Sequence, residues 1–491
     1  MTKPLQVMKF GGTSVGDAVC IGKVVEIIRT AARAARVAVV VSAMSGVTNR
    51  LIEAAQLAKA GNESAVAEIF EGLRKQHDEV IRVLIGSVSE QQRLRSALQT
   101  ILAEGERQCH GTALLRELTA RTLDAVSGLG ERLCAPLLAA ALAEAGVASE
   151  AIDATELIVT DSYHGGAEPW IDLTRSRCQT RALTLLQEDI VPVVTGFIGA
   201  TEDGVVTTLG RGGSDYSATI LGAALNADEV VIWSDVSGLL TADPRLVAKT
   251  STIPEISYRE AAELAYFGAK VLHPKTLRPV MDRGIPVWIR NTFAPDDAGT
   301  KITSRPAPSP GGVKAMAAMR DAALITVAGP GTEGVPDALA RTVVTAAAVR
   351  ADVLLIAQSS AQQEVCLVVP SALAERTVEA LRHEFSRDLM HERVEHTVMA
   401  SAVSVITLVG QNLRAASQTM ARALAALGQE NVSLFATVQG ASDSSISFVL
   451  PRADMKAALA RLHRELALGG VSSPQRPVAA AASPAAGQPS S

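Results

Sequence analysis

Thr207-Thr-Leu-Gly-Arg-Gly-Gly-Ser-Asp-Tyr-Ser-Ala218 is the stretch around which the chain is organised. Apolar Val205-Val206 runs into it, and a helix-period stretch with Ala218, Leu221 and Leu225 on one face leaves it. Gly210, Gly212 and Gly213 stand between, so the backbone is free to turn tightly and to approach a ligand. A turn of this kind at a helix N-terminus presents free N–H groups, which make an anion site. Arg211 and Asp215 lie inside it, and a cation and a carboxylate beside a phosphate cradle suit phosphoryl transfer to an acid. Taken alone, the stretch reads equally as a glycine-rich αβ turn with a surface ion pair.

The whole chain narrows the choice. Its 491 residues leave room for about three ordinary domains. Hydrophobic residues at 48% and charged residues at 20% supply a large core for a soluble globular protein. Aromatics at 3% argue against a stacking surface for single-stranded nucleic acid, and a net charge of -5 argues against a polyanion partner. Cys20, Cys109, Cys134, Cys178 and Cys366 are scattered, odd in number and without a C-x-x-C, which suits reduced thiols in a cytoplasm. No run approaches membrane-spanning length, and Lys9 with its glycines stands where a signal peptide would need apolar residues. The expectation is a cytoplasmic protein with neither a nucleic-acid nor a membrane partner.

Upstream, residues 5–10 read as a short buried strand ending in Lys9-Phe-Gly-Gly-Thr-Ser14, with a helix over 17–35. The N–H groups of Gly11 and Gly12 are placed to line phosphate oxygens, with Lys9 neutralising their charge. This is not a Walker A loop, because Gly22-Lys23-Val24 lacks its hydroxyl and spacing. A β-branched strand over 37–41 ends in Ser42-Ala-Met-Ser-Gly-Val-Thr-Asn49, small and hydroxyl residues at the strand edge where open α/β sheets bind ligands. Thr48 or Asn49 reads equally as an ordinary helix N-cap. Residues 50–125 are mostly helical, and Ser127-Gly-Leu-Gly-Glu-Arg132 breaks the pattern before a helix over 133–142.

Downstream, strands over 190–197 and 229–233 flank the glycine turn. The second leads into Ser234-Asp-Val-Ser-Gly-Leu-Leu-Thr-Ala-Asp-Pro-Arg245, whose shape Pro244 fixes. Tyr266-Phe-Gly-Ala-Lys-Val-Leu-His-Pro274 follows. Its Lys270 is a phosphate-reaching candidate, and His273 before Pro274 is a structural residue at a helix end. A strand over 285–289 closes the block.

These motifs, in this order, resemble the aspartate kinases of the amino-acid-kinase superfamily over residues 5–302. The resemblance rests on Lys9 to Val15, Gly46 to Asn49, Gly130-Glu131, Thr208 to Asp215, Trp233 to Asp235 with Asp243 to Arg245, and Phe267 to Pro274. It implies MgATP-dependent phosphorylation of the β-carboxylate of L-aspartate, the step that opens lysine, threonine and methionine synthesis. Arg211 would then hold the substrate α-carboxylate and Glu131 its ammonium, with Thr48 and Ser42 nearby. Lys9 would bridge the reactants and Asp215 would orient lysine and phosphates. Lys9, Gly11, Gly12, Gly212, Gly213, Ser234, Asp235, Leu240, Asp243, Arg245 and Lys270 would serve the nucleotide. Leu240 departs from the family, many members of which carry Tyr there. No protein cage for magnesium is readable, consistent with a metal held mainly by the nucleotide.

After Arg305-Pro-Ala-Pro-Ser-Pro-Gly-Gly-Val313 the chain repeats itself with an offset of 81 residues. Leu324-Ile-Thr-Val-Ala-Gly329 matches Val405-Ile-Thr-Leu-Val-Gly410, Gln358 matches Gln439, and Pro370 matches Pro451. The copies resemble the ACT domains attached to aspartate kinases, which implies feedback by an amino acid bound near Gln358 and Gln439. The wording Ile356-Ala-Gln-Ser-Ser360 is closer to threonine-sensitive than to lysine-sensitive members. ACT pairing implies a homo-oligomer, and in the family the second copy is threaded through the first. The expected architecture is an α/β, three-layer αβα amino-acid-kinase domain with a mainly parallel sheet, followed by two α+β, ferredoxin-like ACT domains. The divisions are catalytic 1–304, linker 305–320, ACT copies 321–396 and 397–470, and a disordered tail 471–491 with no dehydrogenase domain after it. The stretch His391 to His396 mimics a zinc motif but spaces its histidines one residue too far, and reads as an exposed polar segment.

Overall fold

The structure, a computed structural model, describes residues 3–268, 272–309, 312–328, 335–359, 364–390, 396–439 and 443–468. Lys270, the segment 391–395 and the tail 471–491 lie outside the described residues. His396 opens a strand.

Apolar, β-branched runs become central strands because both of their faces are buried. The chain begins with β1 (Leu5–Phe10), α1 (Ala18–Ala34, capped by Asp17) and β2 (Arg36–Val41). Helices α2 (Val47–Ala60), α3 (Glu63–Leu84), α4 (Val88–Leu115), α5 (Ala120–Ser127) and α6 (Leu129–Glu144) follow. Next come β3 (Ser149–Ile152), α7 (Ile171–Gln187), β4 (Val191–Thr195), β5 (Ile198–Ala200), β6 (Val206–Thr208) and α8 (Gly213–Leu225). The block closes with β7 (Glu229–Ser234), β8 (Glu255–Ser257), α9 (Tyr258–Tyr266), α10 (Pro274–Met281), β9 (Val287–Asn291) and β10 (Thr300–Thr303).

Eight of these strands form one sheet in the order β3-β4-β2-β1-β7-β9-β10-β8, parallel except where β10 meets β9. Two apolar layers cover it. Ile21, Leu51, Phe70 and Leu133 from α1, α2, α3 and α6 fill one face, and Cys178, Leu221, Leu264 and Val280 from α7, α8, α9 and α10 fill the other. This is the expected three-layer αβα arrangement. The β1-β2-β7 centre brings three strand ends together at one edge, where the glycine turns lie.

Three local expectations change. Helix α2 is capped by the backbone of Gly46 without a side-chain bond, so Thr48 and Asn49 stand in its first turn and are not its N-cap. Helix α6 starts at Leu129, four residues before the expected 133, because its early glycine serves packing: a Cβ on Gly130 would come within 2.6 Å of Ala43 Cβ. The run Ala120–Glu144 is long and apolar enough to cross a membrane by composition, contrary to the sequence reading, but it is packed in the core.

The C-terminal part holds β11 (Val313–Ala328), α11 (Val335–Ala348), β12 (Leu355–Ser359), β13 (Glu364–Pro370), α12 (Ser371–Glu384) and α13 (Ser386–Met390). It continues with β14 (His396–Gly410), α14 (Ser417–Gln429), β15 (Ala436–Gln439), β16 (Ser445–Pro451) and α15 (Met455–Glu465). All six strands join one antiparallel sheet, ordered β12-β13-β11-β14-β16-β15. The repeat is structural as well as verbal. Gln358 faces Val365 in one copy and Gln439 faces Ile446 in the other, and Arg341–Glu384 recurs as Arg422–Glu465.

The long strands β11 and β14 are each shared. Their halves 322–328 and 396–403 pair beside β13 and complete the first copy, whereas 313–319 and 405–410 pair beside β16 and complete the second. Residues 313–320, read from the sequence as linker, are therefore strand. The chain enters through the second copy, builds the first, and returns, so the first copy is inserted in the second, the reverse of the threading that the resemblance implied.

Candidate active site

Three strand-to-helix junctions, together with the end of β7 and the start of α6, converge on a pocket of about 590 Å³. β1 ends at Lys9-Phe10, and the Gly11 N–H donates to Trp233 O of β7 at 3.2 Å, which turns the chain at the sheet edge. β2 delivers Ser42, and α2 delivers Thr48. β6 leads to the glycine turn, where Gly210 and Gly212 have φ of +77° and +70°, a conformation that side chains with a Cβ rarely adopt. Gly212 then caps α8, so the first-turn N–H groups of that helix and its partial positive charge face the pocket.

Lys9, Ser42, Thr48, Glu131, Arg211, Asp215, Gly11, Gly12, Gly212, Gly213 and Ser234 all line this pocket. The Lys9 ammonium lies 2.6 Å from Asp215 Oδ1, with both side chains largely shielded from water. Glu131, in the first turn of α6, is only 3% exposed. Burial pushes its carboxyl up to about 8, against the pull of the Ala43 backbone N–H, its own N–H and the Lys9 charge. Its Oε2 has no hydrogen-bond partner among the described residues. A buried carboxyl with one unsatisfied oxygen beside a lysine–aspartate pair and the exposed Arg211 can take an ammonium and a carboxylate at separate points.

The remaining nucleotide candidates stand apart. Asp235 is exposed and accepts a hydrogen bond from Ser234 Oγ at 3.1 Å. Leu240, Asp243 and Arg245 line a second, mostly apolar pocket of about 270 Å³ with Val236 and Leu264, closed by Met316 and Ala318 of β11. The Arg245 guanidinium and its backbone N–H donate to the Asp243 carboxylate there, the shortest contact 2.6 Å. His273 has the structural role expected of it: it caps α10, its Nδ1 accepting the Lys275 N–H at 3.3 Å. Gln358 and Gln439 are exposed near the ends of β12 and β15.

Phe197 escaped the sequence reading as a site residue. It lines the first pocket with φ +69°, an uncommon conformation for an aromatic residue, held by Ser217 Oγ at its N–H and by the Leu209 N–H at its carbonyl. A run of valines ending in Thr-Gly-Phe carries no signal for that backbone state.

The profile of the amino acid kinase family matches residues 4–291, and that of an ACT domain matches residues 406–466. The chain is 33% identical to aspartokinase 1, chloroplastic, of Arabidopsis thaliana, over 93% of this chain and 79% of that protein. It is 32% identical to the plant's bifunctional aspartokinase/homoserine dehydrogenase 2, chloroplastic, over 93% of this chain and 50% of that one, so it spans about half the length of such relatives. The crystal structure of E. coli aspartokinase III in complex with aspartate and ADP superposes with a TM-score of 0.77 at 28% identity, over 94% of this chain and 99% of that one. The same enzyme in complex with lysine and aspartate gives 0.75 at 28% identity, with the same coverage of both chains.

Proposed function

The chain belongs to the amino acid kinase family, among its aspartokinases, and on that premise we propose that it transfers the γ-phosphoryl group of ATP to the β-carboxylate of L-aspartate. The observation that carries the reading is the unsatisfied Oε2 of buried Glu131 in the pocket that also holds Arg211, Lys9 and Asp215. An α-amino acid offers the ammonium that Glu131 lacks and the α-carboxylate that the planar Arg211 guanidinium suits. The arriving ammonium restores the ionised form of Glu131 that burial disfavours. Ser42 and Thr48 contribute hydroxyls beside the bound acid.

The reaction asks little of proton transfer. The β-carboxylate is ionised at neutral pH. One of its oxygens forms a bond to the γ-phosphorus while the bond from that phosphorus to the β–γ bridging oxygen breaks, and ADP leaves with the electron pair. Two anions must be held together, and Lys9, oriented by Asp215, offsets their repulsion while the Gly12 and Gly212 N–H groups face phosphate oxygens. Those of Gly11 and Gly213, expected from the sequence to do the same, are spent on Trp233 O and Gly210 O and shape the two turns instead. The apolar pocket around Val236, Leu240 and Leu264 is the proposed rest for the nucleotide base, with Asp243 and Arg245 in its lining; Asp235 and Lys270 stay nucleotide candidates on the strength of their sequence motifs. Magnesium fits this site as a nucleotide-held ion. Among the described residues no three His, Cys, Asp or Glu side chains form a cage, and Asp215 with phosphate oxygens is an ordinary magnesium donor set. The ion would neutralise phosphate charge.

The tandem sensor copies support feedback by an amino acid near Gln358 and Gln439, with threonine favoured over lysine from the residues around Gln358. The E. coli relative is described with lysine. We place the protein in the cytoplasm, on the strength of five unbonded cysteines, and as a homo-oligomer joined through its sensor copies, its product feeding lysine, threonine and methionine synthesis. The test is ATP-dependent trapping of the acyl phosphate with hydroxylamine. Aspartate-dependent hydroxamate that threonine suppresses supports the whole reading. Hydroxamate with glutamate but not aspartate overturns the substrate, and suppression by lysine alone overturns the effector.

A further inference from the structure

Asp124 does not line the pocket, yet it joins the elements that carry its acid-binding residues. It lies in α5, only 3% exposed. Its carboxylate accepts four donors: Thr208 Oγ1–H at 2.6 Å, the Thr208 N–H at 3.1 Å, the Gly165 N–H at 3.0 Å and His164 Nδ1–H at 2.8 Å. A carboxylate only accepts, so Nδ1 of His164 carries the proton.

Each bond fixes a part of the substrate side. Thr208 is the last residue of β6, three before Arg211, and the next residue, Leu209, donates to Phe197 O at 2.8 Å. Gly165 belongs to a loop packed on the glycine turn, where a Cβ on Gly210 would come within 3.0 Å of Gly165 O. On its other side α5 runs through Gly128, whose N–H donates to Asp124 O at 3.0 Å, directly into α6 and Glu131. The nucleotide-side glycines Gly11 and Gly12, in the turn after β1, are tied instead to β7, the Gly11 N–H donating to Trp233 O.

We infer that Asp124, with His164, is a positioning residue for the acid substrate: it sets the separation between Arg211 and Glu131, the two groups that grip an amino acid's carboxylate and ammonium. The inference rests on the proposed function above. A carboxyl that only held the fold together would affect nucleotide and acid alike, whereas the bonds of this one run to the stretch that ends in Arg211 and its helix runs on to Glu131.

The test is steady-state kinetics of the full chain, following ADP formation while aspartate and ATP are varied separately, for wild type, Asp124→Asn and His164→Ala. Asp124→Asn replaces one accepting oxygen by an N–H₂ that cannot accept and removes the charge that the donors share, and should raise KM for aspartate roughly tenfold to a hundredfold, with KM for ATP within about twofold. His164→Ala removes one donor and should give a smaller rise in the same constant, which decides the matter if Asp124→Asn does not fold. KM values for both substrates moving together, or an unmoved aspartate KM in His164→Ala, would overturn the positioning role. Wild type without aspartate-dependent turnover would instead overturn the function on which it rests.

Discussion

Thr241 Oγ1 lies 3.0 Å from Nε2 of His463, and both residues are buried. The threonine stands between Leu240 and Asp243 in the proposed nucleotide loop, and the histidine is on α15 of the second sensor copy. Thr241 Oγ1 also accepts the Ser251 N–H at 3.1 Å, and burial lowers the basicity of His463. The Thr241 carbonyl accepts the Met316 N–H of β11 at 2.8 Å, and Ala242 and Val247 share an apolar cluster with Leu459 and Leu462 of α15. The loop is thus seated on the sensor. Coupling needs a contact that both sites bias. Thr241→Val is expected to raise the effector concentration for half-inhibition about fivefold or more, on the scale of one buried hydrogen bond. An inhibition curve that superposes on wild type would remove this contact from the coupling route.

Lys9 and Arg211 divide the work differently, and their variants should separate in kinetics. Lys9→Ala takes away the charge paired with Asp215 at 2.6 Å and should lower kcat roughly 10²–10³-fold with the fold intact. Arg211→Ala removes a proposed ground-state contact and should mainly raise KM for aspartate, by about 10–100-fold. Similar kcat losses in both, with KM for aspartate unmoved, would contradict the division.

Glu131 makes the site sensitive to pH. Its carboxyl is held protonated to about 8 in the folded protein, against 4.5 when exposed. Between these values the folded state keeps a proton that the unfolded chain has released, so stability falls as pH rises through that window, and below it the two states do not differ. Glu131→Gln abolishes the slope. Its Tm relative to wild type should climb between about pH 5 and pH 8. For wild type, kcat/KM for aspartate should rise toward about pH 8 as the free enzyme ionises, while kcat stays flatter because the bound ammonium keeps the carboxylate charged. Parallel pH profiles of both constants in wild type and Glu131→Gln would refute this role.

Much of this site was legible because its parts are contiguous motifs. Lys9 and Gly11–Gly12, Ser42 with Thr48, and Arg211 with Asp215 each sit at a strand-to-helix junction that apolar runs and glycines announce. What could not be read was long-range or conformational. Asp124 meets Thr208 across 84 positions, and nothing local marks an aspartate in an ordinary helix as a hub. Phe197 is set apart by a backbone angle. Residues 313–319 looked like linker because the prolines and glycines before them set the local signal, whereas their strand state comes from pairing with 405–410 far along the chain. Gly130 looked like a helix breaker and is a packing residue. The repeat was legible because offset identity survives insertion, but which copy encloses the other is a matter of pairing alone.

The joint between kinase body and sensor holds a buried ion pair whose removal should be costly in a particular way. Lys314 Nζ of β11 lies 3.2 Å from Glu260 Oε2 of α9, with side chains 4% and 0% exposed. Glu260 also completes the capping box of α9, its Oε2 accepting the Ser257 N–H at 2.7 Å. Lys314→Met fills the space but leaves a buried carboxylate without its cation, at a cost of about 3–5 kcal/mol. Glu260→Gln keeps an acceptor for Ser257 and leaves an unpaired lysine, which is costly for the same reason. The double variant has neither buried charge, retains the cap, and should recover most of the loss, because desolvating the pair offsets much of its attraction. Thermal unfolding of the three variants against wild type measures this. Losses that simply add in the double variant would mean that the two charges do not act on each other, and that the joint is held by its apolar contacts.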